Sequence, residues 1–341
     1  MKKKTFIIAI SIVFAILIAT FTSTYLLLFN KPFNVASPTF IYIDNDDSTD
    51  SVFTKIKSNL NPQSMTGLKM LARIKDYDEN IFPGAYRMDA GTTTLEAFRK
   101  LKSGNQTPVR LIVPSVRTLD KLVSRVSKQI MADSASIAAL LNDSSFIKKI
   151  GYNNETLPAL FIPNTYEVYW NMSAENFIRR MEKENRNFWN EERKAKAKAL
   201  NMTTTEVYTL ASIVDEETAN NAEKPMIAGL YINRLKKGML LQADPTVKFS
   251  MQDFGLKRIL FKHLETDSPY NTYKYAGLPP GPIRIASTTG INSVLNYSRH
   301  NYLYMCAKED FSGTHNFASS LAEHNINARK YQQALNKRNI K

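Results

Sequence analysis

The sequence contains very little cysteine or histidine, and this argues against several kinds of site. The 341 residues include one cysteine, Cys306, and four histidines, none spaced as H-x-x-x-H, so neither an internal disulfide nor a histidine-based zinc site is indicated. The apolar neighbours of Cys306 predict a buried strand position. The chain also lacks the G-x-S-x-G elbow of serine hydrolases and the Walker phosphate loop. We therefore predict no metal site and no cofactor.

Acidic residues are outnumbered by basic ones. The chain has 45 lysines and arginines against 31 aspartates and glutamates, which gives a formal net charge of +14. A basic excess of this size favours a polyanionic partner, such as nucleic acid, an anionic lipid surface or an acidic wall polymer. A contribution to solubility alone is the alternative interpretation.

No charged residue occurs from Phe6 to Phe29. As a helix rising about 1.5 Å per residue, this run covers roughly 36 Å, enough to cross a membrane. A cleavable signal peptide is the alternative, but bulky apolar residues resume after the small ones in "TSTYLLLFNKPF", which favours an uncleaved anchor. The lysines at positions 2–4 predict a cytoplasmic N-terminus. Genomic DNA is then not an expected partner, and the basic charge points to wall polymer or lipid head groups.

The pattern of strands and helices after this run predicts an α+β protein with more than one folded part. Strands at "TFIYI", "PGAYRM" and "VRLIVP" alternate with helices, which predicts a small α+β module. Helices then dominate, interrupted by the aromatic-rich "ALFIPNTYEVYW", a composition that suits either sugar stacking or a buried core. The predicted division is a tail at 1–5, an anchor at 6–29, a linker at 30–38, the small module at 39–110, a helical connecting region at 111–200 and a final domain at 201–341.

Three consecutive acidic residues end a predicted helix, in "LASIVDEET". At about 100° per residue, Glu217 lies about 340° from Leu210 and continues the apolar face, whereas Asp215 and Glu216 lie at about 140° and about 240°. Burial raises the pKa of a carboxyl group, so Glu217 is the candidate for an acid that carries a proton near neutral pH. Asp215 and Glu216 are expected to be more exposed to water and ionised. The alternative is that Glu217 is only the exposed end of an amphipathic helix.

Polar side chains near later proline-rich turns are candidates for binding a ligand. A second helix predicted in "EKPMIAGLYINRLKKGM" leads into "LLQADPTVKFS", whose polar residues are expected to flank a proline turn. The segment "SPYNTYKYAGLPPGPI" combines amides and aromatic rings with a rigid loop, and "GTHNF" adds an imidazole and an amide. The candidate substrate-binding residues are Gln242, Asp244, Thr246, Asn271, Tyr273, His315 and Asn316.

Taken in order, these segments resemble a known family. The stretches "LASIVDEET", "YINRLKKGMLLQADPTV", "YNTYKYAGLPPGPI" and "HNF…EHN" behind a single apolar run are similar to those of the MltG (YceG-like) endolytic murein transglycosylases, and "FPGAYRM" and "FIPNTYEVY" extend the similarity. The resemblance implies a LysM-like subdomain at 39–110 and a mixed α/β catalytic domain at 201–341. It also implies that the catalytic glutamate is the one before the threonine, Glu217, and that Asp215 occupies the position of the family's first acid.

The activity implied by the resemblance is non-hydrolytic cleavage of the β-1,4 bond between N-acetylmuramic acid and N-acetylglucosamine within nascent glycan strands. Glu217 would protonate the glycosidic oxygen and then, as a carboxylate, take the proton of the muramyl 6-hydroxyl, whose attack on C1 forms a 1,6-anhydro end. The implied partners are peptidoglycan strands, the cytoplasmic membrane and peptidoglycan synthases. The implied location is a single pass through the bacterial cytoplasmic membrane, with the catalytic domain outside.

Two other functions remain compatible with the residues. The first is a membrane-anchored, wall-binding scaffold, for which Glu217 would be dispensable. The second is a hydrolase of the lysozyme type, which requires a second carboxylate beside the acid. Asp244 and Glu223 are the candidates for that second group.

Overall fold

The computed structural model describes residues 2–256 and 259–338, and it is a mixed α+β structure. It divides into two compact units. The N-terminal unit runs to Leu111 and takes in Gln129–Met131 and Glu167–Met172. The C-terminal unit contains Ile112–Lys128, Ala132–Tyr166 and the chain from Ser173 onward. The functional domain division and the LysM-like character given above remain predictions.

The chain begins with a long apolar helix, α1, at Lys2–Phe29. Within it, Lys3–Phe29 contains an 18-residue stretch with a mean hydropathy of 2.5 and is long and apolar enough to cross a membrane, the one such helix among the described residues. Its side chains are mostly exposed in the protein alone, which fits a helix whose surroundings are lipid.

The N-terminal unit packs three helices around a two-stranded antiparallel sheet. Their bounds are β1 Thr39–Ile43, α2 Thr49–Leu60, α3 Thr66–Ile74, a 3-10 turn at Tyr77–Glu79, β2 Gly84–Met88 and α4 Thr94–Ser103. The two strands pair from Thr39 opposite Met88 to Ile43 opposite Gly84. Gly104 ends α4 in the left-handed conformation, as its position in the sequence predicts.

The end of α1 is packed onto this unit. A Cβ added to Gly67 would lie 2.6 Å from the carbonyl oxygen of Leu27, so only glycine permits this approach. The backbone N–H of Thr94 donates to the carbonyl oxygen of Asn30 at 3.0 Å. Phe33 is 4 % exposed and belongs to the core of the unit. The residues expected to be a linker therefore include a core side chain.

The C-terminal unit is mainly helical. The elements after α4, of which β3 and β4 contain residues of both units, are β3 Val109–Val113, α5 Leu119–Val126, α6 Ser134–Asn142, α7 Ser144–Lys149, a 3-10 turn at Leu157–Leu160, β4 Asn164–Val168, α8 Ala174–Phe188, α9 Glu191–Ala199, α10 Thr204–Glu217, α11 Lys224–Lys236, α12 Asp244–Ser250, α13 Phe261–Leu264, α14 Thr288–Leu295, β5 Tyr304–Ala307, β6 His315–Ala318 and α15 Leu321–Lys337. Strand β3 pairs with β4, and β5 pairs with β6 in an antiparallel hairpin.

Helix α10 is the central element of this unit. It starts at a capping box formed by Thr203 and Glu206. Its residues from Val207 to Asp215 are buried, and α11 and α14 both pack against it. A helix that is buried on nearly all sides needs apolar or paired residues all round, and "VYTLASIV" supplies them. The packing fixes the direction in which the last turn of α10 points.

Candidate active site

The last turn of α10 ends at a cavity of about 220 Å³. Glu217 forms part of its wall, together with side chains from α11, α12, the segments around them and the β5–β6 hairpin. The other lining residues are Leu230, Tyr231, Arg234, Leu241, Gln242, Asp244, Tyr273, Met305, Cys306, Ala307 and His315.

Glu217 carries an unusual carboxyl group. Burial raises its pKa from the ordinary 4.5 to about 7; a hydrogen bond from the hydroxyl of Tyr231 lowers the pKa, and the charges of Asp244 and Glu216 raise it. This direction agrees with the expectation drawn from the apolar face of the helix. A carboxyl group with a pKa near 7 carries a proton in a large fraction of molecules at neutral pH and can still release it.

The two acids before Glu217 were expected to be exposed to water, but neither is. Asp215 is buried and accepts hydrogen bonds from Lys224 at 2.7 Å and from the backbone N–H of Ser287 at 2.6 Å. Its carboxylate lies at the N-terminus of α14, where the helix dipole favours a negative charge. The expectation of a wet Asp215 was wrong because α10 has packed neighbours on this side as well.

Glu216 is paired with two arginines. It accepts from Arg117 at 2.8 Å and from Arg284 at 2.9 Å, and its side chain is only 11 % exposed. The expectation of a wetter side chain is therefore also wrong. Both arginines are distant from Glu216 in the sequence, so neither pairing could be read from the local pattern. The two guanidinium groups thus hold the last turn of α10 through Glu216.

Gly290 allows the contact between α10 and α14. A Cβ added to it would lie 2.5 Å from Oδ1 of Asp215, which is too close for two non-bonded atoms. Asp215 thus joins the end of α10 to the starts of both α11 and α14. This junction fixes the last turn of α10, whose final residue, Glu217, lines the cavity.

Four of the seven predicted substrate-binding residues line the cavity with Glu217: Gln242, Asp244, Tyr273 and His315. The hydroxyl of Tyr273 donates to Oδ1 of Asp244 at 2.6 Å. Asp244 begins α12, with Pro245 in its first turn, so the expected proline turn is the start of a helix.

The other three predicted residues do not line the cavity. Thr246 and Asn271 are each 0 % exposed, and their side chains donate to backbone carbonyl groups of neighbouring segments. Asn316 donates to Glu309 at 2.8 Å and is not among the lining residues. We therefore revise the prediction for Thr246 and Asn271, which hold the chain beside the cavity and have no exposed atoms to offer a ligand.

Tyr231, Arg234 and Cys306 also line the cavity, although they were not predicted from the sequence. Tyr231 and Arg234 are three apart on α11, so they share one face of the helix, and two polar groups on a largely apolar helix were the available signal. Cys306 lies in strand β5 as expected, but it is only partly buried and lines the cavity. Burial raises the pKa of its thiol, which disfavours the reactive thiolate.

The two candidates for a second carboxylate differ in their positions. Asp244 lines the cavity together with Glu217. Glu223 is buried outside the lining and accepts from the backbone N–H and the ring Nδ1 of His315, at 2.7 Å and 3.0 Å. Among the described residues, no group of three or more histidine, cysteine, aspartate or glutamate side chains is arranged to hold a metal ion.

The fold and the site define a class of protein: an α+β protein in which a buried helix delivers one carboxylic acid with a raised pKa into a polar cavity. The model of the YceG-like family matches residues 41–330. The chain belongs to the YceG-like family, as the ordered motifs indicate.

The similar proteins are consistent with this family. An endolytic murein transglycosylase from Bacillus subtilis is 31 % identical over 271 residues, which cover 75 % of this chain and 74 % of the relative. One from Streptococcus pneumoniae is 26 % identical over 295 residues; the match covers 76 % of this chain and 52 % of that relative, about half its length. A crystal structure of a YceG-like protein from Listeria monocytogenes is 27 % identical with a TM-score of 0.57, covering 86 % of this chain and 99 % of that one.

Proposed function

We propose that this protein is a membrane-anchored, endolytic lytic transglycosylase of peptidoglycan, a lyase in which Glu217 is the catalytic acid. The observation that carries the proposal is the pKa of about 7 that burial gives to Glu217 at the edge of a polar cavity. The names of the relatives from Bacillus and Streptococcus supply the substrate, murein, and the type of reaction.

In the proposed reaction, Glu217 first donates its proton to the oxygen of the β-1,4 bond between N-acetylmuramic acid and N-acetylglucosamine. The bond from C1 to that oxygen breaks, and the muramyl 6-hydroxyl attacks C1 to form a 1,6-anhydro ring. The carboxylate of Glu217 takes the proton of that hydroxyl and is restored as the acid. Because the substrate supplies its own nucleophile, one carboxyl group is sufficient and no water is consumed.

The other cavity residues are proposed to hold the sugar. Gln242, Tyr273 and Asp244 offer amide, hydroxyl and carboxylate groups that suit the hydroxyl and acetamido groups of the glycan. Tyr231 is proposed to hold Glu217 in position, since its hydroxyl occupies one carboxyl oxygen and leaves the other for the substrate.

We further propose that α1 anchors the protein in the bacterial cytoplasmic membrane with its N-terminus inside. The apolar length of α1 and the lysines before it support this topology. The cavity would then act outside the membrane on strands as they emerge, which would end their elongation. Peptidoglycan synthases are the proposed protein partners.

The test is mass spectrometry of uncrosslinked glycan strands treated with the full-length protein in detergent, beside the Glu217→Gln variant. The proposal predicts cleaved ends that are one water lighter than hydrolytic ends, and their loss in the variant. Glu206→Gln is the matched control, because Glu206 lies at the other end of the same helix and glutamine preserves a capping box.

A lysozyme-type hydrolase is the second candidate, and Asp244 favours it because this second carboxylate shares the cavity. That function predicts reducing ends and a loss of cleavage in Asp244→Asn. If the unmodified protein binds the strands but does not cleave them, the protein is instead a scaffold.

A further inference from the structure

His315 is held in one orientation by a buried carboxylate. Glu223 accepts from the backbone N–H of His315 with Oε1 at 2.7 Å and faces ring atom Nδ1 with Oε2 at 3.0 Å. Because a carboxylate only accepts hydrogen bonds, the ring hydrogen must lie on Nδ1. The other nitrogen, Nε2, is then an acceptor whenever the ring is neutral.

The free nitrogen of His315 belongs to the Glu217 cavity. The side chain is 16 % exposed, and it lines the cavity. Among the described residues, no hydrogen bond to Nε2 is formed. Glu223 thus makes Nε2 of His315 a hydrogen-bond acceptor in the cavity wall. The mechanism proposed above does not use this nitrogen.

Two donors lie in the wall of the same cavity. Arg234 is only 7 % exposed, and its hydrogen bonds in the described structure all go to neutral oxygens, including Oε1 of Gln242 at 3.2 Å. A guanidinium group can only donate, so the amide oxygen of Gln242 must face it. Among the described residues, the amide nitrogen of Gln242 and the Nη2 group of Arg234 have no hydrogen-bond acceptor, so both are free to donate to a ligand.

We propose that Arg234, Gln242 and His315 form a recognition site for the acetamido group of an N-acetylated sugar. The acetamido carbonyl accepts from Arg234 and Gln242, and the acetamido N–H donates to Nε2 of His315. A secondary amide requires a donor and an acceptor at once, whereas a hydroxyl group is satisfied by either alone. Glu223 is a positioning residue that acts through His315. The identity of the ligand rests on the proposed function.

Glu223→Gln tests the site without changing its shape. The glutamine oxygen still accepts from the backbone N–H of His315, but its NH₂ group donates to Nδ1 and forces the ring hydrogen onto Nε2. When an acetamido group binds, its N–H then faces the Nε2–H of His315, and no hydrogen bond can form between them. We expect the affinity for a tetramer of β-1,4-linked N-acetylglucosamine, measured by calorimetry at pH 8, to fall about tenfold. Both proteins carry Glu217→Gln, so that no cleavage occurs.

Two further variants keep the test interpretable. Gln242→Gly removes the amide but retains the left-handed backbone, φ +52°, which glycine adopts readily. This variant is expected to lower the affinity for the tetramer by a similar factor. Glu309→Gln alters a carboxylate that pairs with Asn316 outside the cavity, and it should leave the affinity unchanged.

The ¹⁵N shifts of the imidazole nitrogens, recorded on the same samples, report which nitrogen of His315 carries the hydrogen. A hydrogen on Nδ1 that moves to Nε2 in Glu223→Gln, with the loss of affinity, supports the site. A moved hydrogen with unchanged affinity, a doubly protonated ring at pH 8, or no tetramer binding before substitution overturns it. Normal binding together with a cleavage reaction that does not depend on Glu217 would overturn the proposed function and leave this site intact.

Discussion

The two units of the molecule bury different kinds of side chain. Among the described residues, the buried polar side chains of the N-terminal unit carry only hydroxyl groups, those of Thr92, Thr94, Tyr77 and Tyr86. The C-terminal unit also buries acidic and basic side chains, namely Asp215, Glu223, Lys224, Arg234 and His263. Charged groups are expensive to bury unless they are paired, and a unit built for stability alone has no need of them. The difference indicates that the C-terminal unit accepts this cost to hold the groups around its cavity.

One lysine in each unit makes the comparison concrete. Lys55 pairs with Asp44 and Asp47 near the surface of the N-terminal unit, and its side chain is 30 % exposed. Lys224 pairs with Asp215 behind the cavity, where their side chains are 7 % and 3 % exposed. The chemistry of the two pairs is the same, but only in the second are both partners almost fully removed from water.

The largest effect expected is the loss of cleavage in Glu217→Gln. Glutamine keeps the size of the side chain but has no proton to give, so strand cleavage should fall at least about a hundredfold. Release of cleaved strands over time measures the rate, and Glu206→Gln should cleave at the original rate. If Glu217→Gln cleaves within a few-fold of the normal rate, Glu217 is not the catalytic acid.

The same substitution should stabilise the fold at high pH. The pKa of Glu217 in the folded protein is raised to about 7 from an ordinary 4.5, so its contribution to stability is complete below pH 4.5 and is lost as the pH rises through 7. At pH 8 the partly buried carboxylate therefore costs up to about 3 kcal/mol. Urea unfolding should show Glu217→Gln more stable than the unmodified protein at pH 8 and nearly equal at pH 4. Equal stability at both pH values would contradict the raised pKa.

Breaking the lysine pair of each unit should lower the stability of the protein by different amounts. Lys224→Met leaves Asp215 buried without its cation and should lower the free energy of unfolding by about 3 kcal/mol. Lys55→Met removes a partly exposed pair and should lower it by less than about 1 kcal/mol. Urea unfolding at pH 7 measures both changes. Similar losses for the two variants would mean that burial does not distinguish the pairs.

The smallest effect expected is a change in pH dependence. The hydrogen bond from Tyr231 lowers the pKa of Glu217, so Tyr231→Phe should raise that pKa and move the high-pH limit of cleavage upward. Cleavage rates from pH 5 to pH 9 measure the limit. Tyr208→Phe is the control, since its hydroxyl donates to the carbonyl oxygen of Phe161 elsewhere in the unit. A downward shift in Tyr231→Phe would contradict the assigned direction.

The sequence was sufficient for features that depend on local pattern. The strand at Thr39–Ile43 and the helix stop at Gly104 follow from β-branched residues and from the freedom of glycine. The apolar spacing of α10 predicted the direction of the pKa shift of Glu217, although it did not predict that Asp215 on the same helix is buried as well. The ordered motifs predicted the family.

Features that depend on distant segments could not be predicted in this way. The burial of Asp215 and Glu216 requires cations from other helices and loops, and Arg117 is 99 residues away from its partner. Amides and hydroxyls that bind sugars are also the ones that hold loops, so Asn271 could not be told apart from Gln242 by residue type. Only the packing assigns each of them to the loop or to the cavity.

The central claim is that Glu217 carries a proton near neutral pH because the protein buries it. The most direct measurement is a pH titration of the side-chain carboxyl ¹³C shifts in protein labelled on glutamate, with the signal of Glu217 assigned by its absence in Glu217→Gln. The account predicts a midpoint of about 7 for this signal. A midpoint near the ordinary 4.5 would mean that Glu217 is ionised at neutral pH, and the proposed acid would have to be sought elsewhere in the cavity.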